Sequence, residues 1–325
     1  MATTATHGNG TAAPSRMTLA SVKKDIGPRP DRILLVGTEG VGKTTFAADA
    51  PNPIFVCAED GLPPVLGSVP RFPEPTGISD VLEAVRVLIR EEHDYRTLAI
   101  DTLDWLEPLI WRELCVRNGW LDAHGTPDIE KPGYGKGYVA ATEEWRKLLG
   151  ALDTLRERKG MEIILLAHAT IKTFQNPAGN DYSRYESKLH KGAASLVREW
   201  TDVNLFAVHE EFVRETKGKA KGVSTGRRVI HTERTAAWDA KNRYALPSEL
   251  PLNYADYAAA RAARTPADPA ALRLEAESLL ADLTLSDEAL NQTKRAIEAA
   301  AAKGGAAMAR VVDRLRSKVA EQENN

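Results

Sequence analysis

Short apolar runs alternate with longer amphipathic ones over the first two thirds of the chain. Residues 33–36, 54–58, 97–101, 162–168 and 202–208 are too short for helices and read as buried strands. Between them, residues 44–50, 78–92, 103–117, 139–159 and 192–200 repeat their apolar positions at helical spacing. Ser79 or Asp80 stands ready to cap the second of these, and Gly160 closes the fourth. This alternation through residue 208 predicts an α/β fold with a mainly parallel sheet and ligands at the carboxyl ends of its strands. Residues 211–214 and 228–234 then read as a β-hairpin around the basic stretch 217–222. From residue 266 the chain is alanine-rich and charged, with breaks at 283–286 and 304–305, which predicts two or three short helices. The small, polar N-terminus ends in Gly27-Pro28-Arg29-Pro30 and reads as flexible. Three regions follow: a disordered segment (1–28), an α/β core (29–264) and a C-terminal helical region (265–325).

Composition narrows the partners. With 43% hydrophobic residues in 325 there is enough for a sizeable core, and a net charge of −2 confines any nucleic-acid contact to local patches. No apolar run approaches the ~20 residues of a membrane span, and the N-terminus lacks a signal-peptide pattern, so a cytoplasmic protein is expected. Cys57 sits in a strand-like run and reads as a small buried hydrophobe; Cys115 is the only other cysteine.

The chemistry centres on Gly37-Thr38-Glu39-Gly40-Val41-Gly42-Lys43-Thr44, which fits G-x-x-x-x-G-K-[ST] between a strand and a helix. Backbone N–H groups of such a loop, with Thr45 just behind it, cradle phosphates at a helix start. Lys43 is expected on the β- and γ-phosphates and the Thr44 hydroxyl on Mg²⁺. Asp101 ends a hydrophobic strand and is the second expected Mg²⁺ residue, acting through water. ATP and Mg²⁺ are thus the expected ligands. Thr102 follows Asp101, so the Asp-Glu pair typical of AAA+ proteins is missing, and no Asn-Lys-x-Asp element points to GTP. The water-activating carboxylate must lie elsewhere; Glu59, at the tip of the second strand, is the first candidate and Asp60 the second.

Glu59 after residues 55–58, and Asp101-Thr102, resemble the corresponding strand ends of RecA-like ATPases, which implies a RecA-like P-loop core over residues 31–250. His168 then falls at the γ-phosphate sensor position. Lys241-Asn242-Arg243 is similar to the Lys-Asn-Arg motif of the RadA branch, implying an oligomer, a ring or short filament, in which Lys241 and Arg243 reach a neighbour's nucleotide. Residues 131–138 and 170–191 occupy the positions of the family's two DNA-binding loops. They offer Tyr134, Tyr138, Phe174, Tyr182 and Tyr185 for base stacking, and Lys136, Lys172, Arg184, Lys188 and Lys191 for the backbone of single-stranded DNA. The Gly-Tyr-Gly-Lys-Gly-Tyr loop and Ala-Lys-Asn-Arg-Tyr run look most like phage-encoded RecA-core ATPases of recombination, annealing or replication. The competing expectation is an ATP-gated adaptor whose C-terminal helices hold a protein partner.

Overall fold

The computed structural model describes residues 17–22, 29–59, 67–177, 179–216, 219–263, 269–303 and 305–323. The flexibility expected of residues 1–28 therefore falls almost wholly outside the described residues, as do Asp60 and the tip of the basic hairpin at residues 217–218.

Each apolar run becomes a strand: β1 (Arg32–Gly37), β2 (Pro53–Cys57), β3 (Thr97–Asp101), β4 (Glu162–Phe174) and, beyond β5 (Tyr182–Ser187), β6 (Val203–Thr216). β7 (Lys219–His231), β8 (Lys241–Asn242) and β9 (Glu249–Pro251) complete the sheet among the described residues. Its order is β2-β3-β4-β1-β6-β7-β9, with β5 on β4 and β8 on β6. The first five strands of that order run parallel, in register Val56↔Ile100↔Leu165↔Leu34↔Asn204. The central runs are continuously apolar because both faces are covered. Leu34, Val56, Ile100 and Leu165 face α2 (Ile78–Arg90), α3 (Leu103–Asn118), α4 (Lys136–Lys159) and α5 (Lys191–Trp200). Ile33, Leu35, Phe55, Ile164 and Leu166 face the side of α1 (Lys43–Ala48) and α6 (Tyr254–Ala262), where Phe46 and Tyr257 pack.

Three local expectations change. The stretch 131–138, expected to lack regular structure, enters α4 at Lys136. The segment 170–191, expected as a polar loop, is largely a hairpin: β4 continues six residues past His168 and pairs antiparallel with β5, Phe174 opposite Tyr182. Trp105, one of the apolar positions of the amphipathic run 103–117, does not face the core and is 52% exposed.

A second unit takes in Asp268–Asn325. Its helices α7 (Pro269–Ala281), α8 (Asp287–Lys303) and α9 (Gly305–Glu323) break where the sequence suggests and enclose Ala276, Leu280, Ile297, Met308, Val312 and Leu315. No helix among the described residues is long and apolar enough to cross a membrane.

Candidate functional site

The loop between β1 and α1 is built by backbone needs before chemistry. Gly37 packs so close to β6 that an added Cβ would lie 2.7 Å from the Ala207 carbonyl oxygen. Gly42, just before α1, has φ +111°, a conformation that side-chain-bearing residues avoid. The loop therefore turns at the open end of the sheet, with the first N–H groups of α1 facing outward from the turn.

The side chains expected around it converge. A cavity of about 290 Å³ is walled by Lys43, Thr44, Glu59, Asp101, His168 and Arg228. Lys43 is 5% exposed, and its Nζ donates to the carbonyls of Gly37 (3.2 Å) and Thr38 (3.0 Å). Burial lowers the Lys43 pKa against the opposing pull of Asp101, Asp104 and Glu59. The Thr44 hydroxyl donates to Asp101 Oδ2 at 2.7 Å. Burial raises the Asp101 pKa, an effect that the Thr44 bond and the Lys43 charge oppose. A hydroxyl and a desolvated carboxylate held together form a hard-oxygen donor set that suits Mg²⁺. Among the described residues no group of three or more His, Cys, Asp or Glu could hold a metal alone. The Thr44–Asp101 pair fits the Mg²⁺ pattern of few protein ligands completed by phosphate and water. Glu59 makes no hydrogen bond or ion pair among the described residues and stays available to a water in the cavity. Burial pushes the Cys57 thiol up to about 11, so it stays protonated on the cavity wall.

His168 is fixed from α3. Asp104, in the first turn, accepts from the His168 backbone N (2.9 Å) and lies 3.0 Å from its Nδ1. Nε2 is the ring nitrogen left for a ligand. Burial alone would raise the Asp104 pKa, but the hydrogen bonds from His168 outweigh it and hold the carboxyl below its usual range. Sequence reasoning missed Asp104. It also missed Glu107 one turn on, whose carboxylate accepts from the His190 backbone N at 2.8 Å and is raised by burial to about 7. Arg228, on β7, was legible only as part of a strand. Its Nη1 donates to the Val41 carbonyl at 3.3 Å.

Lys241 and Arg243 lie elsewhere. β8 pairs with Val203 and Asn204, the start of β6, whereas the phosphate loop adjoins Ala207 farther along that strand. Lys241 Nζ donates to the carbonyls of Arg198 (2.9 Å) and Glu199 (3.0 Å), closing the C-terminus of α5. Arg243 pairs with Asp202 at 3.3 Å and is half exposed. Neither is part of this chain's own cavity.

The residues expected to meet DNA divide in two. Tyr134 is fully exposed at φ +50°, and Lys136 and Lys191 open onto solvent at the starts of α4 and α5. The others are engaged internally. Tyr138 stacks on His190 with centroids 4.3 Å apart and donates its hydroxyl to Glu130. Lys172 ties down the carbonyls of Ser187 and Leu189. Phe174 packs on Tyr182, and Tyr185 on Phe206. Arg184 departs most from expectation. At 3% exposure it lies over the Phe174 ring and is paired with Glu186 and Asp239, so it is a core ion pair and not a free cation. Lys188 pairs with Glu39 of the phosphate loop at 3.3 Å.

A glycine-rich loop joining a parallel strand to a helix, with a carboxylate two strands away and bonded to the loop's threonine, defines a P-loop NTPase core. The chain belongs to the family of AAA domains, whose sequence model matches residues 29–244. The class brings ATP as the nucleotide, typically with Mg²⁺. The absent Asp-Glu pair therefore does not set this chain outside the AAA domains. No curated protein matches the chain.

Proposed function

We propose that this protein is an Mg²⁺-dependent ATPase acting on single-stranded DNA, in recombination, annealing or replication of the phage type. The observation that carries the hydrolytic part is Glu59, unpaired among the described residues, on the wall of the cavity that holds Lys43, Thr44, Asp101 and His168. Glu59 takes a proton from the attacking water as its oxygen bonds to the γ-phosphorus and the bond to the β-bridging oxygen breaks, giving ADP and phosphate. Lys43 and the loop N–H groups hold the phosphates. His168, oriented by Asp104, donates to the γ-phosphate from Nε2. Thr44 and Asp101 would hold Mg²⁺, which would supply neutralisation of the phosphate charge. For DNA, the support is the exposed set Tyr134, Lys136 and Lys191, an aromatic residue just before α4 and cations at the starts of α4 and α5. Half-exposed Arg243 is the residue offered to a neighbouring subunit's nucleotide; Lys241 positions the segment by closing α5.

One observation favours the ATP-gated adaptor instead. Arg184, Lys172 and Tyr138, three of the expected DNA contacts, are spent inside the fold. Steady-state ATP hydrolysis across a protein concentration series, with and without single-stranded DNA, separates the two. Stimulation that rises with protein concentration supports the DNA-dependent oligomer; slow turnover indifferent to DNA supports the adaptor. Under the first reading, Glu59→Gln lowers kcat by ~10²–10⁴ and retains nucleotide affinity. Wild-type turnover in that variant would remove Glu59 from the mechanism.

A further inference from the structure

We infer that Arg228 is a nucleotide-binding residue supplied by the same chain as the phosphate loop, contacting the phosphates that remain in ADP. The inference rests on the loop being an ATP site, and three observations carry it.

The first is position. β7 is two places from β1 in the sheet, and Arg228 pairs with His209 of β6, which brings its side chain over the loop. Its Nη1 lies 3.3 Å from the Val41 carbonyl oxygen. A Cβ added to Gly42 would lie only 2.7 Å from the same nitrogen, so the glycine leaves the space that the guanidinium occupies.

The second is unused hydrogen-bonding capacity. A guanidinium carries five N–H donors, and the Val41 carbonyl takes one. Among the described residues no carboxylate pairs with Arg228. The contrast is one residue away. Arg227, on the opposite face of the strand, is tied to Glu210 at 3.1 Å and Glu249 at 3.7 Å. An unpaired cation on the wall of a phosphate cavity is placed to receive an anion.

The third is direction. Glu59 approaches from the β2 side of the loop and Arg228 from the β7 side, with β1 between them in the sheet order. Attacking and leaving oxygens lie roughly in line through phosphorus. With the water activated beside Glu59, the retained phosphates extend away from it, toward Arg228. Arg228 therefore serves ATP and ADP alike, unlike a residue that contacts only the γ-phosphate.

The test is the affinity of full-length wild-type protein and variants for fluorescent ATP and ADP analogues, with Mg²⁺ present. Arg228→Ala and Arg228→Gln are expected to weaken both nucleotides by a similar factor, about 10- to 100-fold. Arg227→Ala, an equal charge change on the other face, is expected to match wild type. Thermal melts identify folded variants, and Arg228→Gln keeps a side chain long enough to reach Val41 should the alanine variant misfold. Wild-type ADP affinity in either folded variant overturns the inference, and a loss confined to ATP overturns the assignment to the retained phosphates. Wild-type protein that binds neither nucleotide overturns the reading of the loop itself.

Discussion

The two ends of the parallel sheet are both crowded with charge, and the charge is used differently. At the starts of the strands nearly every ionic group has a partner. Asp202 receives Arg32 at 2.9 Å and Arg156 at 3.5 Å, and Arg32 also reaches Asp153 at 3.1 Å. Asp31 is held by Arg261 at 2.9 Å and by the Tyr257 hydroxyl at 2.8 Å, and Glu162 accepts from Tyr254. At the opposite end Glu59 and Arg228 have no ionic partner among the described residues, and His168 has one ring nitrogen engaged. Charges that satisfy one another fasten strands and helices together. Charges left with unspent hydrogen-bonding capacity in a cavity are positioned for a ligand, and pKa shifts alone do not separate the cases, because both ends show them.

The largest test of this contrast is a pair of truncations. Lys43→Ala is expected to abolish detectable ATP binding with little change in melting temperature, because Lys43 bonds only carbonyls of its own loop. Asp202→Ala is expected to do the reverse. It strands Arg32 and Arg156 without their shared carboxylate and destabilises the fold by about 3–5 kcal/mol, while the folded fraction keeps its nucleotide affinity. Denaturant titration together with a nucleotide-binding isotherm reads both variants. A Lys43→Ala protein that unfolds, or an Asp202→Ala protein of wild-type stability, would erase the distinction between the ends.

A smaller effect lies in pH. Burial and the neighbouring Asp31 raise the Glu162 carboxyl from 4.5 to about 8. A raised folded-state pKa means that the folded chain holds a proton the unfolded chain releases. The resulting stabilisation is complete below pH 4.5 and is lost as pH climbs through about 8. Asp202 has the opposite sign. Burial opposes ionisation, but Arg32 and Arg156 prevail and lower its pKa below 3.8, so its contribution is present above that value and lost in acid. Glu162→Gln is expected to flatten the decline from pH 5 to 8.5 by on the order of 2 kcal/mol, allowing for the part of the carboxyl that water reaches. An unchanged slope in urea midpoints would show that Glu162 ionises normally.

The sequence made the top of the sheet more legible than the bottom, and the reason is locality. Gly37 to Thr44 announce a loop because its turn, lysine and hydroxyl are contiguous, and residues 97–101 end in Asp101 because one strand carries both its apolar body and its acid tip. Arg184 read as a surface cation because Phe174 lies ten residues before it and Asp239 far beyond it in sequence. Lys241 likewise read as a reaching cation, since nothing near it signals the carbonyls of α5. The hairpin of β4 and β5 was hidden because its apolar residues, Ile171, Phe174, Tyr182 and Tyr185, are scattered among Thr170, Lys172, Thr173, Ser183, Arg184 and Glu186, and so show no continuous strand-like run. Arg228 had no local signal at all, because only the pairing of β7 with β6, and of β6 with β1, brings it to the loop.

β4 passes without interruption from the sheet interior, through His168, into the hairpin. A loop at that point would absorb a small rotation of the histidine; a continuous strand transmits it. The six residues beyond His168 make a rod of about 20 Å at ~3.3 Å per residue. A tilt of about 5° at its base moves the tip by about 1.7 Å over that length. Geometry alone thus makes the hairpin a pointer whose needle magnifies whatever the histidine registers.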